Sequence, residues 1–535
     1  MHTRMTRLTQ TLTAVGLAVA AASAAAQPAP ADRDADTVRV VVSFKPGTRL
    51  AHDARALMAT LGGQVKVELP AQDAVAIVLP QHALARLRQH AAVAGVEEDA
   101  KRYRGMAMPA RAPAQADRDE VPTPKREYTP YGIKKVQARL VPASTNAPIK
   151  VCIIDSGLDR EHPDMIGNEM TGEYDRGTGN WYDVDDPHGT HVAGTIAALK
   201  NDVGVVGVNG AREVSLHIVR VFSDLIWTYS STLADAANKC KAAGAKVINM
   251  SLGGPDASEV EQRAFDDLEQ AGILSIASAG NGALSDYRYP ASYNSVMSVA
   301  AVDQNNNRGW FSQYNDQVEI AAPGVAVLSD VPHGTGRDTR LRQGDTKYAA
   351  RPTADSPTTA KPVKAALYDF DEGKVIDPAA AGKHCLIRTN PFGFGLGKRI
   401  KNCEDSGGVG AIAYSLNQER HPSERDKVVA TIPSVDVSGP DGVALLAAVG
   451  QNAIISITAN DYDTFSGTSM AAPHVSGVAA RVWRHFPQCT GKQIRNALDQ
   501  SALDLDAPGR DNLTGFGLVQ ARAAYDRLLA QGCGA

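Results

Sequence analysis

The spacing of apolar residues changes rhythm along the chain, and the changes mark its parts. Residues 38–44 read as a strand, 49–61 carry helical spacing, 64–68 and 74–79 read as strands, 81–90 as a second helix, and 96–98 open a last extended piece. Segment 38–103 is therefore expected to be a small α+β unit. It lies between stretches rich in Ala, Pro and charge, at 27–36 and 104–126. Both read as linkers, the second ending in Lys125-Arg126 and open to proteolysis.

From residue 127 the pattern differs. Apolar runs of strand length at 149–154, 214–222, 246–250, 273–277, 296–302 and 318–321 alternate with helical patterns such as 231–243 and 258–271. Runs apolar on both faces, separated by helices, predict a doubly wound α/β fold, a parallel sheet covered on both sides. Near 330 the rhythm breaks. Residues 331–362 are polar and read as irregular, and 363–457 as short strands with helices of their own. At Phe465 the α/β rhythm resumes with a long helix at 470–485. The α/β domain is thus expected over 127–334 and 458–535, interrupted by a mainly-β or α+β insert at 335–457. No internal repeat is visible.

Composition narrows the classes. The 535 residues carry 55 basic and 59 acidic side chains, a formal charge of −4, with no basic stripe to neutralise a phosphate backbone. Nucleic acid is therefore not an expected partner. A hydrophobic content of 43% argues for packed cores over a disordered chain. At the N-terminus Arg4 and Arg7 precede an apolar run at 12–22 and then Ala24-Ala25-Ala26, the pattern of a secretory signal peptide over 1–26. About 11 apolar residues fall short of the roughly 20 that a membrane span needs. The mature protein is expected to be secreted, extracellular and free of the membrane, in a compartment that permits disulfides. Among the six cysteines, Cys385 with Cys403 and Cys489 with Cys533 are expected as two local bridges. Cys152 and Cys240 either pair or remain buried thiols, and 15 connectivities are open on count alone.

Four motifs carry chemistry. Val151-Cys152-Ile153-Ile154-Asp155-Ser156-Gly157 is a buried strand ending in a carboxylate and a glycine turn, at the strand end where doubly wound sheets bind ligands. Taken alone, Asp155 would equally be a turn or capping residue. His188-Gly189-Thr190-His191 opens a helix, where the macrodipole disfavours the cation and keeps an imidazole available as a base. Two histidines three apart also suggest a metal, but no Glu follows in the zinc-protease manner. Gly467-Thr468-Ser469-Met470-Ala471-Ala472-Pro473 places a hydroxyl at a helix N-terminus, whose N–H groups suit a developing oxyanion, although most such serines are plain N-caps. Ser278-Ala279-Gly280-Asn281-Gly282 follows a buried strand and adds an amide at the same sheet edge.

Taken together, and in the order Asp155, His188, Ser469, these motifs resemble the subtilisin-like serine proteases, whose triad runs in that order. The resemblance extends to Pro130-Tyr131-Gly132, Asn249-Met250-Ser251-Leu252-Gly253-Gly254 and Tyr289-Pro290. It implies a serine endopeptidase of subtilisin-like fold. Ser469 would be the nucleophile, His188 its base and then the acid for the leaving amine, Asp155 the residue that orients the imidazole, and Asn281 a donor to the oxyanion. Ser251, Leu252 and Gly253 would pair with extended substrate backbone. His191 matches a structural position.

The same resemblance makes 38–103 an inhibitor-type propeptide, an intramolecular inhibitor whose tail fills the site until cut, with the mature start between 104 and 127. It makes 363–457 a protease-associated domain that either selects substrates or merely stabilises the chain. It implies a structural Ca²⁺ held by Asp164, Leu199, Asn201, Val203 and Val205. Glu127 would stand where the family has an amide, and hard oxygen donors suit that ion. Protein and peptide substrates and a monomeric state are expected. Asp286 and Arg288, in the loop 282–288, are the charged candidates nearest the pocket for the residue before the scissile bond. The competing reading is a binding protein on the same fold with a dead site; an intact triad, export signal and propeptide argue against it. An α/β-hydrolase esterase is disfavoured because that class runs Ser, Asp, His.

Overall fold

A computed structural model describes residues 37–105, 126–223, 226–353, 356–389, 395–416 and 429–534. The expected export signal at 1–26 and nearly all of both expected linkers lie outside the described residues.

The centre is a seven-stranded sheet in which every neighbouring pair is parallel. Across the sheet the order is Val318–Pro323, Val296–Val302, Leu274–Ser278, Val247–Met250, Ile149–Asp155, Val214–Arg220, Met170–Gly172. The first of these in sequence, Ile149–Asp155, has Val214–Arg220 on one side and Val247–Met250 on the other. Strand order therefore reverses beside Asp155, and open α/β sheets form their crevice at such a switch point. Alternate residues of this strand feed two cores. Val151 and Ile153 pack with Val192 and Ile196 of helix His188–Ala197 and Val475 and Val478 of helix Thr468–Trp483. Cys152 and Ile154 pack with Leu233 of helix Ser230–Ala242 and Phe265 and Leu268 of helix Glu259–Gln270. Cover on both faces is why the strand sequences are apolar throughout rather than alternating. Cys152 is bonded to Cys240 across the second core, and Cys385–Cys403 and Cys489–Cys533 are the other disulfides.

The N-terminal unit is a four-stranded antiparallel sheet in the order Gln64–Leu69, Ala74–Pro80, Thr37–Phe44, Val93–Glu98. One face packs on its own short helices, Arg55–Leu61 and Leu84–Arg88, through Val42, Ile77, Met58 and Leu87. The other face, through Val41, Leu69, Ala74 and Ala76, lies on Ala234, Val260 and Ala264 of the two helices beneath. Two carboxylates complete this docking. Glu97 accepts from Ser258 Oγ (3.0 Å), Glu259 N (2.7 Å) and Val260 N (3.0 Å), and Asp99 accepts from Ser231 N (3.0 Å) and Ser231 Oγ (2.7 Å). Each anion thus satisfies N–H groups that a helix start leaves open and meets the positive end of its dipole.

The insert is an eight-stranded mixed sheet. Residues 331–362, read from sequence as irregular, contain strands Gly336–Gln343, Thr346–Tyr348 and Ala350–Pro352. Gly336–Gln343 is held by an unbroken ladder to Asn452–Asn460, over a hundred residues away, and Leu341 is the one apolar residue it buries. A strand built on distant backbone pairing shows no apolar period. Where the chain leaves and re-enters the α/β body, Val327–Asp330 and Tyr462–Phe465 pair as a two-stranded antiparallel ribbon. No helix of the described residues is long and apolar enough to cross a membrane.

Candidate active site

Asp155 ends the central strand and Gly157 turns the chain with φ +102°, a conformation open to glycine. A Cβ on Gly189 would collide with the Gly157 carbonyl, so the start of helix His188–Ala197 sits directly on that turn. This close approach lets the first residue of the helix reach the strand end. His188 Nδ1 lies 2.8 Å from Asp155 Oδ1, which also accepts from Ser156 N at 2.7 Å. Both side chains are buried. With Nδ1–H given to the carboxylate, Nε2 keeps its lone pair, and this buried atom has no hydrogen-bond partner among the described residues.

Ser469 is the second residue of helix Thr468–Trp483. Its hydroxyl donates to the Ser251 carbonyl (3.2 Å), and no hydrogen bond joins it to His188. Ser251 Oγ donates in return to the Ser469 carbonyl (2.8 Å) and accepts from Asn249 Nδ2 (3.1 Å), while Ser476 Oγ donates to Asn249 Oδ1 (2.9 Å). Thr468 donates from both N (2.9 Å) and Oγ1 (2.8 Å) to Asn281 Oδ1, which fixes the carboxamide with its oxygen towards Thr468. The amide nitrogen then lies on the side of Gly467, 3.2 Å from where a Cβ on that glycine would be. Arg288 lies against Gly280, next to Asn281.

The cleft contains a piece of the chain itself. Strand Lys101–Arg104 runs antiparallel between Trp227–Tyr229 and Leu252–Gly253, in the register Leu252↔Arg104 and Gly253↔Tyr103. Gly105 N donates to the Ser251 carbonyl (3.3 Å), and a Cβ on Gly105 would collide with Ser469 Oγ. Ser251, Leu252 and Gly253 are thus the residues along which this segment of the chain is laid. A Cβ on Gly254 would strike the Lys101 carbonyl, so the strand enters over a glycine. Arg102 is wholly buried, with Nε 2.9 Å from Glu261 Oε1 and Nη2 2.5 Å from Glu261 Oε2. Tyr293 Oη donates to Glu261 Oε2 at 2.8 Å. Burial pushes the Glu261 carboxyl above the usual range, against the pull of Arg102, and pushes Tyr293 far up. Arg104 is paired with Asp186, whose Oδ1 also accepts from His188 N (2.9 Å).

Arg102, Glu261 and Asp186 escape a reading of the sequence. The signal for Glu261 is a charge on the apolar stripe of its helix, at 261 with Ala264, Phe265 and Leu268, where all four are buried.

The two histidines do not form a metal pair. His191 Nε2 contacts the Val327 carbonyl (3.0 Å), the ring stacks on Phe465 at 4.5 Å, and burial pushes its pKa down to about 3.

Glu127, Asp164, Leu199, Asn201, Val203 and Val205 do come together. Asp164 Oδ2 accepts from Val205 N (2.7 Å) and Oδ1 from Asn201 Nδ2 (3.2 Å), and Asn201 Oδ1 accepts from Val203 N (3.2 Å). Leu199 N donates to the Asp164 carbonyl (2.8 Å), and Glu127 Oε2 accepts from Asn201 N and Asp202 N at 2.9 Å each. The side-chain donors of this loop are oxygens. On its inner side, burial and the charge of Asp164 push the enclosed Asp330 carboxyl well above the usual range.

Comparison with known proteins identifies a family for the fold. A profile described as the subtilase family, Peptidase_S8, matches residues 146–357 and 409–517. Subtilisin NAT of Bacillus subtilis subsp. natto is 33% identical over 306 residues, 56% of this chain and 74% of that protein. Subtilisin DY of Bacillus licheniformis is 40% identical over 216 residues, 39% of this chain and 77% of its own length. Among solved structures, the psychrophilic subtilisin-like protease Apa1 from Pseudoalteromonas sp. AS-11 superposes with a TM-score of 0.59 at 40% identity, over 76% of this chain and 100% of that one. Fervidolysin from Fervidobacterium pennivorans shares the fold, with a TM-score of 0.57 at 23% identity, over 92% of this chain and 61% of its own.

Proposed function

The chain belongs to the subtilase family and is a serine endopeptidase, and from that premise we propose that Asp155, His188 and Ser469 carry its chemistry on protein and peptide substrates. The observation that carries the assignment is the 2.8 Å contact between Asp155 and His188, buried at the sheet's switch point. Ser469 Oγ swings from the Ser251 carbonyl towards His188 Nε2, gives up its proton and attacks the scissile carbonyl. Asn281 Nδ2 and the Ser469 N–H hold the oxyanion, and the imidazolium, stabilised by Asp155, protonates the leaving amine. Water then releases the acyl group with His188 again as base.

The described segment 37–105 acts as the propeptide. Its tail occupies the cleft with Gly105 against Ser469, and the covered helices account for its grip. The protein is exported, matures by a first cut in its own chain and works outside the cell as a monomer. The oxygen donors of Glu127, Asp164 and Asn201, with carbonyls of the same loop, would hold Ca²⁺, which supplies a structural cross-link and no catalytic step.

The test is Ser469→Ala. The precursor should accumulate uncut and peptidase activity should vanish, and a fluorophosphonate should label wild type but not the variant. Processing at a normal rate in Ser469→Ala would remove Ser469 as nucleophile.

A further inference from the structure

We infer that the cleft holds a guanidinium subsite built on Glu261, so that the enzyme reads an arginine at the fourth residue before the bond it cuts. The inference rests on the peptidase reading above and names its substrate class.

Register supplies the position. Gly105 lies against Ser469 with its N–H on the Ser251 carbonyl, so the bond after Gly105 is the one presented. Counting back, Arg104 is second, Tyr103 third and Arg102 fourth. The strand is laid along Leu252–Gly253 as a substrate would be, so its side chains report what the subsites accept.

Chemistry supplies the residue type. Glu261 is wholly buried, and among the described residues Arg102 is the one cation it touches. The guanidinium meets the carboxylate with two parallel N–H donors, a fork that lysine cannot reproduce. Arg102 lies on the segment that the first cut releases. When it leaves, Glu261 keeps Tyr293 Oη but loses its counter-charge, and a buried carboxylate so placed is costly until another cation arrives. A stabilising core pair would have both members on the mature chain. Here one member is on the removable strand and the other on the wall. The Arg104–Asp186 pair repeats the preference at the second position, where both side chains are part-exposed and the effect should be smaller.

The test uses the processed wild-type enzyme and two peptides that share Tyr-Arg-Gly-Met after the variable residue. One carries arginine at the fourth position before the expected cut, the other citrulline, its uncharged isostere. The arginine peptide should be cut after Gly with kcat/KM roughly tenfold or more higher, as for loss of one charge-assisted pair. In Glu261→Gln the ratio should fall towards one. Cleavage of both peptides at equal efficiency by wild type overturns the subsite and leaves the peptidase reading standing. If neither is cut and the fluorophosphonate does not label Ser469, the peptidase reading itself fails and the subsite with it. The citrulline comparison needs no variant, so it stands even if Glu261→Gln fails to fold.

Discussion

Ser251 and Ser469 exchange hydrogen bonds: each hydroxyl donates to the other's carbonyl, at 2.8 Å from Ser251 and 3.2 Å from Ser469. The exchange ties the start of the long helix to the end of a central strand. Behind it, Asn249 and Ser476 hold Ser251 from the core side. Ser251→Ala removes the fixed half of this tie and leaves the substrate-pairing backbone in place. We expect kcat to fall roughly five- to tenfold, the worth of about one hydrogen bond, with KM little changed. Steady-state kinetics on a small peptide decide the matter; an unaltered kcat would make the tie irrelevant to catalysis.

Acid should weaken activity, and in the fold it acts against two buried histidines and in favour of the buried carboxylates. The proposed role of His188 as base requires a neutral imidazole, so kcat/KM should decline as the solution turns acidic. For the fold, burial holds His191 and His474 at about 3 and about 4. As pH falls below about 6.5 the unfolded chain binds protons at these residues before the folded one does, so the stability these two contribute falls with pH. At pH 5 each contributes a loss of about 2 kcal/mol relative to pH 7. Asp499, pushed up to about 10, acts in the opposite sense, losing stability as pH rises above the ordinary carboxylate range. The measurement is therefore a difference: the urea midpoint of His474→Gln should change less between pH 7 and 5 than that of wild type. Equal slopes would contradict the assignment.

Chelation should lower the melting temperature if an ion binds the folded loop alone, since such a ligand stabilises by mass action. Asp164→Ala should melt lower than wild type and lose its response to chelator. Identical wild-type melting with and without chelator would show the loop to be held by its own N–H donors.

Removing residues 332–460 and closing the ribbon with an Asn-Gly turn converts Val327–Asp330 and Tyr462–Phe465 into an ordinary hairpin. The α/β body should fold, because its cores contain no residue from that span. Hydrolysis of a small peptide should persist within a fewfold, and efficiency on folded proteins should drop. Loss of small-peptide hydrolysis in folded protein would mean the insert shapes the site.

How far the sequence can be read follows from the range of each interaction. Asp155, His188, Asn281 and Ser469 are legible because each sits at the end or start of a regular element with its own short motif. The sheet is legible because burial on both faces leaves apolar runs. Glu261 and Arg102 are not, because their meeting joins residues 159 positions apart and neither has meaning alone. The strands Gly336–Gln343 and Ala350–Pro352 are hidden for the same reason, each being paired with distant backbone. The Cys152–Cys240 bond stays ambiguous in sequence because a buried thiol and a half-cystine look alike in an apolar run.

The ribbon at the base of the insert also has a mechanical meaning. Its second strand ends at Phe465, four residues before Ser469, so the insert is joined to the helix that carries Ser469 with only Ser466 and Gly467 between. Phe465 is stacked on His191, and the facing strand offers that ring the Val327 carbonyl. His191 thus acts as a strut: it braces both strands of the ribbon against the helix that begins with His188, so both attachments of the insert are packed into one unit with that helix.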